Sequence, residues 1–154
     1  MNSPDFDTQT AHQFFAGQCF NSAWDLMEKS NRPPEEDEQM LRLSLASHWH
    51  WTQRNDYNAK TKSIAHWQTS RIYTLLGQAE NARRYAQLCL QASQDRGVAP
   101  FYLAYAYEAL ARAEAMTGNR KDMAFHLAEA HQIANTITES EAKQQLLNDL
   151  ATIK

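Results

Sequence analysis

The stretch IAHWQTSRIYTLLGQAENARRYAQLCLQASQ, from Ile64 to Gln94, constrains the fold more than any other part of the chain. Trp67, Arg71, Ile72, Leu75 and Leu76 recur at helical spacing before Gly77, and Ala79, Ala82, Ala86, Cys89 and Leu90 follow it. Glycine takes the left-handed conformation that ends a helix at no steric cost. Gly77 therefore predicts a short turn between two antiparallel helices.

The rest of the chain carries the same bias. Only 4 Gly and 4 Pro stand against abundant Ala, Leu, Gln and Glu, and 43% of the residues are hydrophobic. A chain of 154 residues fits one domain able to bury about two thirds of its unfolded surface. Residues 1–8 read as a loose arm and 9–154 as a single helical domain. Phe14, Phe15, Cys19, Phe20, Ala23, Trp24 and Met27 form an apolar first helix beginning near Gln9, with an expected interruption at Gly17. Pro33 and Pro34 open a second helix that runs to about Gln53, with Glu35, Glu36 and Asp37 near its positive end. That acidic cluster is a solvated cap rather than a metal site. Arg54 to Thr61 is a polar connection, with Thr61 or Ser63 capping the third helix.

Asp95-Arg96-Gly97 ends the fourth helix and Pro100 opens the fifth. FYLAYAYEALARAEAM is apolar on nearly every side, so this fifth helix is expected at the centre. Tyr102, Tyr105, Glu108 and Arg112 make one stripe along it, with Glu108 and Arg112 spaced as an ion pair in the favourable orientation. A sixth helix spans about Arg120 to Thr136. Thr138 with Glu141 predicts a capping box before a seventh, which carries Leu146, Leu147, Leu150 and Ile153 and covers the end of the array.

The hairpin resembles a tetratricopeptide repeat. Ser70, Tyr73, Ala82 and Cys89 occupy the small, aromatic, alanine and small positions around Gly77. Around Gly118, Ala111, Leu127 and Ala130 match, whereas Glu114 stands at the aromatic position and Met123 at the alanine. Gln94 and Asn135 replace the closing proline. The two glycines are 41 residues apart, against roughly 34 in a standard repeat. The resemblance implies a divergent, tetratricopeptide-like, right-handed array of about seven helices in antiparallel hairpins, all-α. The phrases LMEKSNRPPEEDEQML, ASHWHW, WQTSRIYTLLG, ARRYAQLCL and FYLAYAYEALARA are also similar to a family of uncharacterised bacterial proteins. That likeness implies a soluble bacterial origin and assigns no site residue.

Several function classes lose ground on composition. A net charge of −3 and scattered basic residues disfavour nucleic acid. There is no apolar run long enough to cross a bilayer, and Met1 to Thr10 lacks the pattern of a signal peptide, so a cytoplasmic location without membrane attachment is expected. Cys19 and Cys89 read as two buried free thiols rather than a disulfide. His48-Trp49-His50-Trp51 suggests a metal site, but helical residues two apart point about 200° from each other, so the two imidazoles do not converge. No metal or cofactor is expected. No phosphate loop, nucleophile elbow, Cys-x-x-Cys or His-Glu-x-x-His is present, and Cys89 sits where a small core residue is wanted.

What remains is an aromatic and ionic set: His48, Trp51, Trp67, Arg71, Tyr102, Tyr105, Glu108 and Arg112. First helices of stacked hairpins line a concave face, so the set can form a groove. Arg71 and Arg112 would then hold a carboxylate or peptide end, with the tyrosines supplying contact area. In the opposing structural reading Arg71 and Glu108 form a buried bridge and the rings fill space. The expected function is a non-enzymatic helical-repeat module binding a protein or peptide, a second copy of the chain included. The alternative is a small-ligand or enzymatic pocket around His48, Arg71 and Glu108. Four Trp and six Tyr in so small a chain also leave material for an exposed interface.

Overall fold

The structure, a computed structural model, describes residues 6–154 and contains seven α-helices and no strand among them. They are α1 (Thr8–Met27), α2 (Pro34–Thr52), α3 (Ala59–Leu75), α4 (Ala79–Ser93), α5 (Pro100–Met116), α6 (Arg120–Ala134) and α7 (Ser140–Leu150). The chain is therefore all-α, as expected. Consecutive helices pack as the pairs α1–α2, α3–α4 and α5–α6, with α2–α3, α4–α5 and α3–α5 contacts joining them. The last helix, α7, lies against α5 and α6.

Local chemistry sets most of the helix ends. Gly77 and Gly118 are the described residues with positive φ, at 73° and 71°. After α3, the Gln78 N–H donates to Tyr73 O at 2.9 Å and Gly77 N–H to Thr74 O at 3.1 Å. After α5, Asn119 N–H reaches Glu114 O at 3.1 Å and Gly118 N–H reaches Ala115 O at 3.2 Å. Both are Schellman closures, which use a left-handed residue to satisfy the last carbonyls of a helix. Space around both glycines is open, so the cost of a side chain there is conformational alone. Gly77→Ala and Gly118→Ala should each destabilise the fold by about 1–2 kcal/mol. Gly17 differs: it lies inside an unbroken α1, also with open space beside it. Gly17→Ala should stabilise the fold by up to about 1 kcal/mol, and urea titration of the three variants checks the opposite signs.

The interruption anticipated at Gly17 is thus absent, because one glycine costs less than the packing of α1 on α2 returns. Three other boundaries also differ from expectation. Of the arm expected over 1–8, residues 1–5 lie outside the described residues. Thr8 already belongs to α1, which Asp7 caps by accepting from Gln9 N–H at 3.0 Å. α3 begins at Ala59 rather than after Thr61, because Asn58 is the cap. Its side chain accepts from Thr61 N–H at 3.1 Å while Thr61 Oγ1 accepts from Asn58 N–H at 3.1 Å. The Thr138–Glu141 box does not form: Glu139 is the N-cap of α7 and makes no side-chain cap, so the pair is one residue out of register.

α5 is central, as its composition predicts. Ala104, Ala106, Ala109, Ala111 and Ala113 are all buried, and their small size lets neighbouring helices approach. α3 is equally interior, although its buried side is largely polar. Ser63, His66, Gln68, Thr69 and Ser70 are buried there beside Ala65 and Ile72. Hydroxyls on this helix bridge to its neighbours: Thr69 to Ser44 at 2.9 Å, Ser63 to Ser93 at 2.6 Å, and Ser70 to Ala82 O at 2.8 Å. Gln68 donates to Phe20 O at 3.0 Å, tying α3 to α1. Buried polar atoms are normally bonded, and these bonds meet that condition for Ser63, Gln68, Thr69 and Ser70, whereas His66 Nδ1 has no partner among the described residues.

Candidate functional site

The first helices of the three hairpins, with α7 at one end, enclose a half-open cleft of about 650 Å³. α1 contributes Phe20 and Trp24, α3 contributes Trp67 and Arg71, and α5 contributes Phe101, Tyr102, Tyr105, Glu108 and Arg112. Asp149 enters from α7. The volume is in the range of ligand sites in proteins.

Ring packing builds the walls. Phe20 stacks on Trp24 with centroids 6.4 Å apart, and Trp24 on Trp67 at 5.7 Å. Tyr105 meets Trp67 edge-on at 5.6 Å and Phe101 at 4.9 Å. Such contacts hold the rings in place.

An ionic network forms the floor. Glu108, 1% exposed, accepts from Trp67 Nε1 at 3.0 Å through one oxygen and from Arg112 Nε at 2.7 Å through the other. Arg112 also donates to Asp149 O at 3.2 Å and Thr152 Oγ1 at 3.0 Å. Tyr105 OH donates to Asp149 Oδ2 at 2.6 Å. Burial, and then its hydrogen bond to the Asp149 side chain, push the Tyr105 phenol well above its ordinary range, so it stays neutral at any physiological pH. The network ties α3, α5 and the end of α7 together.

The anticipated Arg71–Glu108 bridge does not form. Glu108 has spent its oxygens on Trp67 and Arg112, and among the described residues Arg71 makes neither a salt bridge nor a hydrogen bond. Its half-buried guanidinium sits on the cleft wall. Burial lowers the Arg71 pKa from the usual arginine value, and nearby Arg112 adds to this. Glu108 and Asp149 act in the opposite direction. Arginine remains charged regardless.

Six of the eight residues singled out in the sequence thus line one cleft: Trp67, Arg71, Tyr102, Tyr105, Glu108 and Arg112. His48 and Trp51 do not. His48 Nε2 pairs with Tyr57 OH at 2.9 Å, and its ring meets His66 edge-on at 4.6 Å. The Arg54 guanidinium lies 3.8 Å over the Trp51 ring. A pocket combining His48 with Arg71 and Glu108 is therefore not assembled. Tyr105 is 8% exposed and unavailable as interface material. The exposed large rings are instead Phe14, Phe15, Trp24, Trp49 and Phe125, beside Phe6.

Trp24, Phe20 and Asp149 belong to the cleft and were not singled out as site residues. Trp24 and Phe20 read as ordinary apolar helix positions. Asp149 is a polar residue among the core leucines of α7, and no spacing rule connects it to Tyr105. Neither cysteine is poised for chemistry: Cys19 is half-buried, while burial raises the Cys89 thiol to about 11, beside Ser63 and Ser93. Among the described residues, no group of three or more His, Cys, Asp or Glu is placed to hold a metal, and no helix is long and apolar enough to cross a membrane.

No known protein family, curated protein or solved structure matches the chain.

Proposed function

We propose that this protein is a non-enzymatic helical-hairpin module that receives a segment of a protein or peptide partner in the aromatic cleft. The observation that carries this reading is the junction of fixed aromatic walls with a charged group, Arg71, that has no partner among the described residues, on the face made by the first helices of successive hairpins. Arrays of stacked hairpins present their binding surface on that face. We read the array as tetratricopeptide-like and right-handed, on the repeat-like residues around Gly77 and Gly118, and the setting as a bacterial cytoplasm, where the two free thiols would stay reduced. A partner of nucleic acid is disfavoured by the net charge of −3.

The second reading is a small-ligand pocket, favoured by the roomy volume of the cleft. It centres on Arg71 and Trp67 rather than on His48. Selection from a random peptide library, with wild type and Leu75→Trp as baits, tests the first reading. Leu75 stands at the cleft margin, and an indole there narrows the opening. Peptides that enrich on wild type and not on Leu75→Trp are the expected result. Equal enrichment on both baits moves binding away from the cleft, and none on either withdraws the reading. Native mass spectrometry of freshly purified protein addresses the other two occupants: added mass on a monomer supports the small ligand, and a bare dimer supports self-association.

A further inference from the structure

Every other charged side chain on the cleft wall has a partner. Glu108 and Arg112 bond to each other, Asp149 accepts from Tyr105, and Glu28 accepts from Trp24 Nε1 at 3.0 Å. Arg71 has none among the described residues, and it lies one helical turn from Trp67 on the same face of α3. We propose that Arg71 anchors the free C-terminal carboxylate of the partner chain, with an apolar last side chain held against the Trp24, Trp67 and Phe101 rings. This inference rests on the partner-binding reading above.

Chemistry selects this occupant. A guanidinium offers a planar fork of donors that a carboxylate matches with two parallel bonds, and the match is worth most where water is scarce. A chain terminus carries its anion and its last side chain on the same Cα. One residue can therefore reach Arg71 and the aromatic wall together. An internal Asp or Glu brings the anion as well, but drags peptide groups into the aromatic walls from both sides, where their hydrogen bonds to water are lost. Arg112 is the weaker anchor, because its Nε and Nη2 already bond Glu108, Asp149 O and Thr152 and only Nη1 is left to offer.

The same isolation makes Arg71 a clean residue to replace. Arg71→Met breaks no bond among the described residues, so its melting temperature should equal or exceed that of wild type. The test is affinity selection from an equimolar pool of acetylated hexapeptides, each made as the free acid and as the C-terminal amide. The last residue is varied among Leu, Phe, Lys and Glu, and retained peptides are identified by mass. Free acids ending in Leu or Phe should be retained about tenfold over their amides on wild type, and this preference should vanish on Arg71→Met. Acids and amides retained alike on wild type overturn the anchor and leave the partner-binding reading intact, a comparison that needs no variant. Retention of nothing overturns both. In that case, a shift of the Trp67 indole N–H resonance on adding 3-phenylpropionate alone would identify the occupant as a small acid rather than a chain end.

Discussion

Replacing Glu108 with leucine should cost about 3–5 kcal/mol of folding stability, the largest effect of any single substitution on the cleft. The carboxylate is 1% exposed, and it compensates two desolvated donors, the Arg112 guanidinium and the Trp67 indole N–H. Leucine fills much of the space but leaves Arg112 as a buried cation, its side chain only 12% exposed, held by one carbonyl and one hydroxyl. The penalty is that of an orphaned charge rather than of a lost contact. The double variant Glu108→Leu/Arg112→Met should therefore recover most of the loss, since an apolar pair of similar volume removes both charges together. Urea unfolding of the two single variants and the double gives the coupling directly. A loss below about 1 kcal/mol in Glu108→Leu would show that water reaches the floor and screens it. Arg71→Met, on the facing wall, provides the contrast: a guanidinium with no bond to lose should be replaceable without cost.

Acid should weaken the fold well before the carboxylates titrate. His66 is 6% exposed on α3, its Nδ1 is buried without a partner, and burial, then His48, then Lys62, lower its pKa from 6.5 to about 4. His48, in contact with it, is lowered too, mainly by burial. The other ring packed on His66 is Tyr85, and among the described residues no acid bonds to it that could stabilise the charged form. The unfolded chain therefore binds protons on these imidazoles that the folded chain refuses. Stability is complete above pH 6.5 and declines as the pH falls toward about 4, by up to about 3 kcal/mol for His66. Further loss below that range belongs to carboxylates such as Glu114, whose pKa the Arg83 guanidinium lowers. Melting temperatures measured from pH 7.5 to 4 should fall for wild type and fall much less for His66→Phe. An unchanged slope in His66→Phe would assign the acid sensitivity elsewhere.

The cleft shows how far local sequence rules reach. Glu108 and Arg112 were predicted as partners and are partners, because four residues along a helix fixes two side chains on one face whatever surrounds them. The tyrosine stripe, the alanine-rich centre of α5 and the grouping of Trp67 with Arg71 rest on the same periodicity. Which donor would complete Glu108 did not. Arg71 and Trp67 both stand on the right face of α3, and charge favours Arg71. Arg112 already occupies one oxygen, and a second guanidinium there would sit against it. The neutral indole takes the other oxygen instead, leaving Arg71 to the cleft. His48 and Trp51 looked like cleft residues by composition alone. Their places were decided by Tyr57, His66 and Arg54, whose approach depends on how the chain turns after α2.

Taken alone, the sequence determined the features governed by interactions within about one helical turn. These are the seven helices, the closures at Gly77 and Gly118, the proline starts of α2 and α5, and the Glu108–Arg112 pair. Each follows from backbone sterics or from a fixed rise per residue, and neither depends on distant parts of the chain. The tertiary structure alone decided the polar burial of α3, the entry of Asp149 beside Tyr105, the place of Trp24 in the aromatic wall and the isolation of Arg71. Those outcomes turn on pairings between residues up to 48 positions apart, as Gln68 and Phe20 are. A buried polar group is stable only with its partner, and that partner is chosen by how whole helices pack.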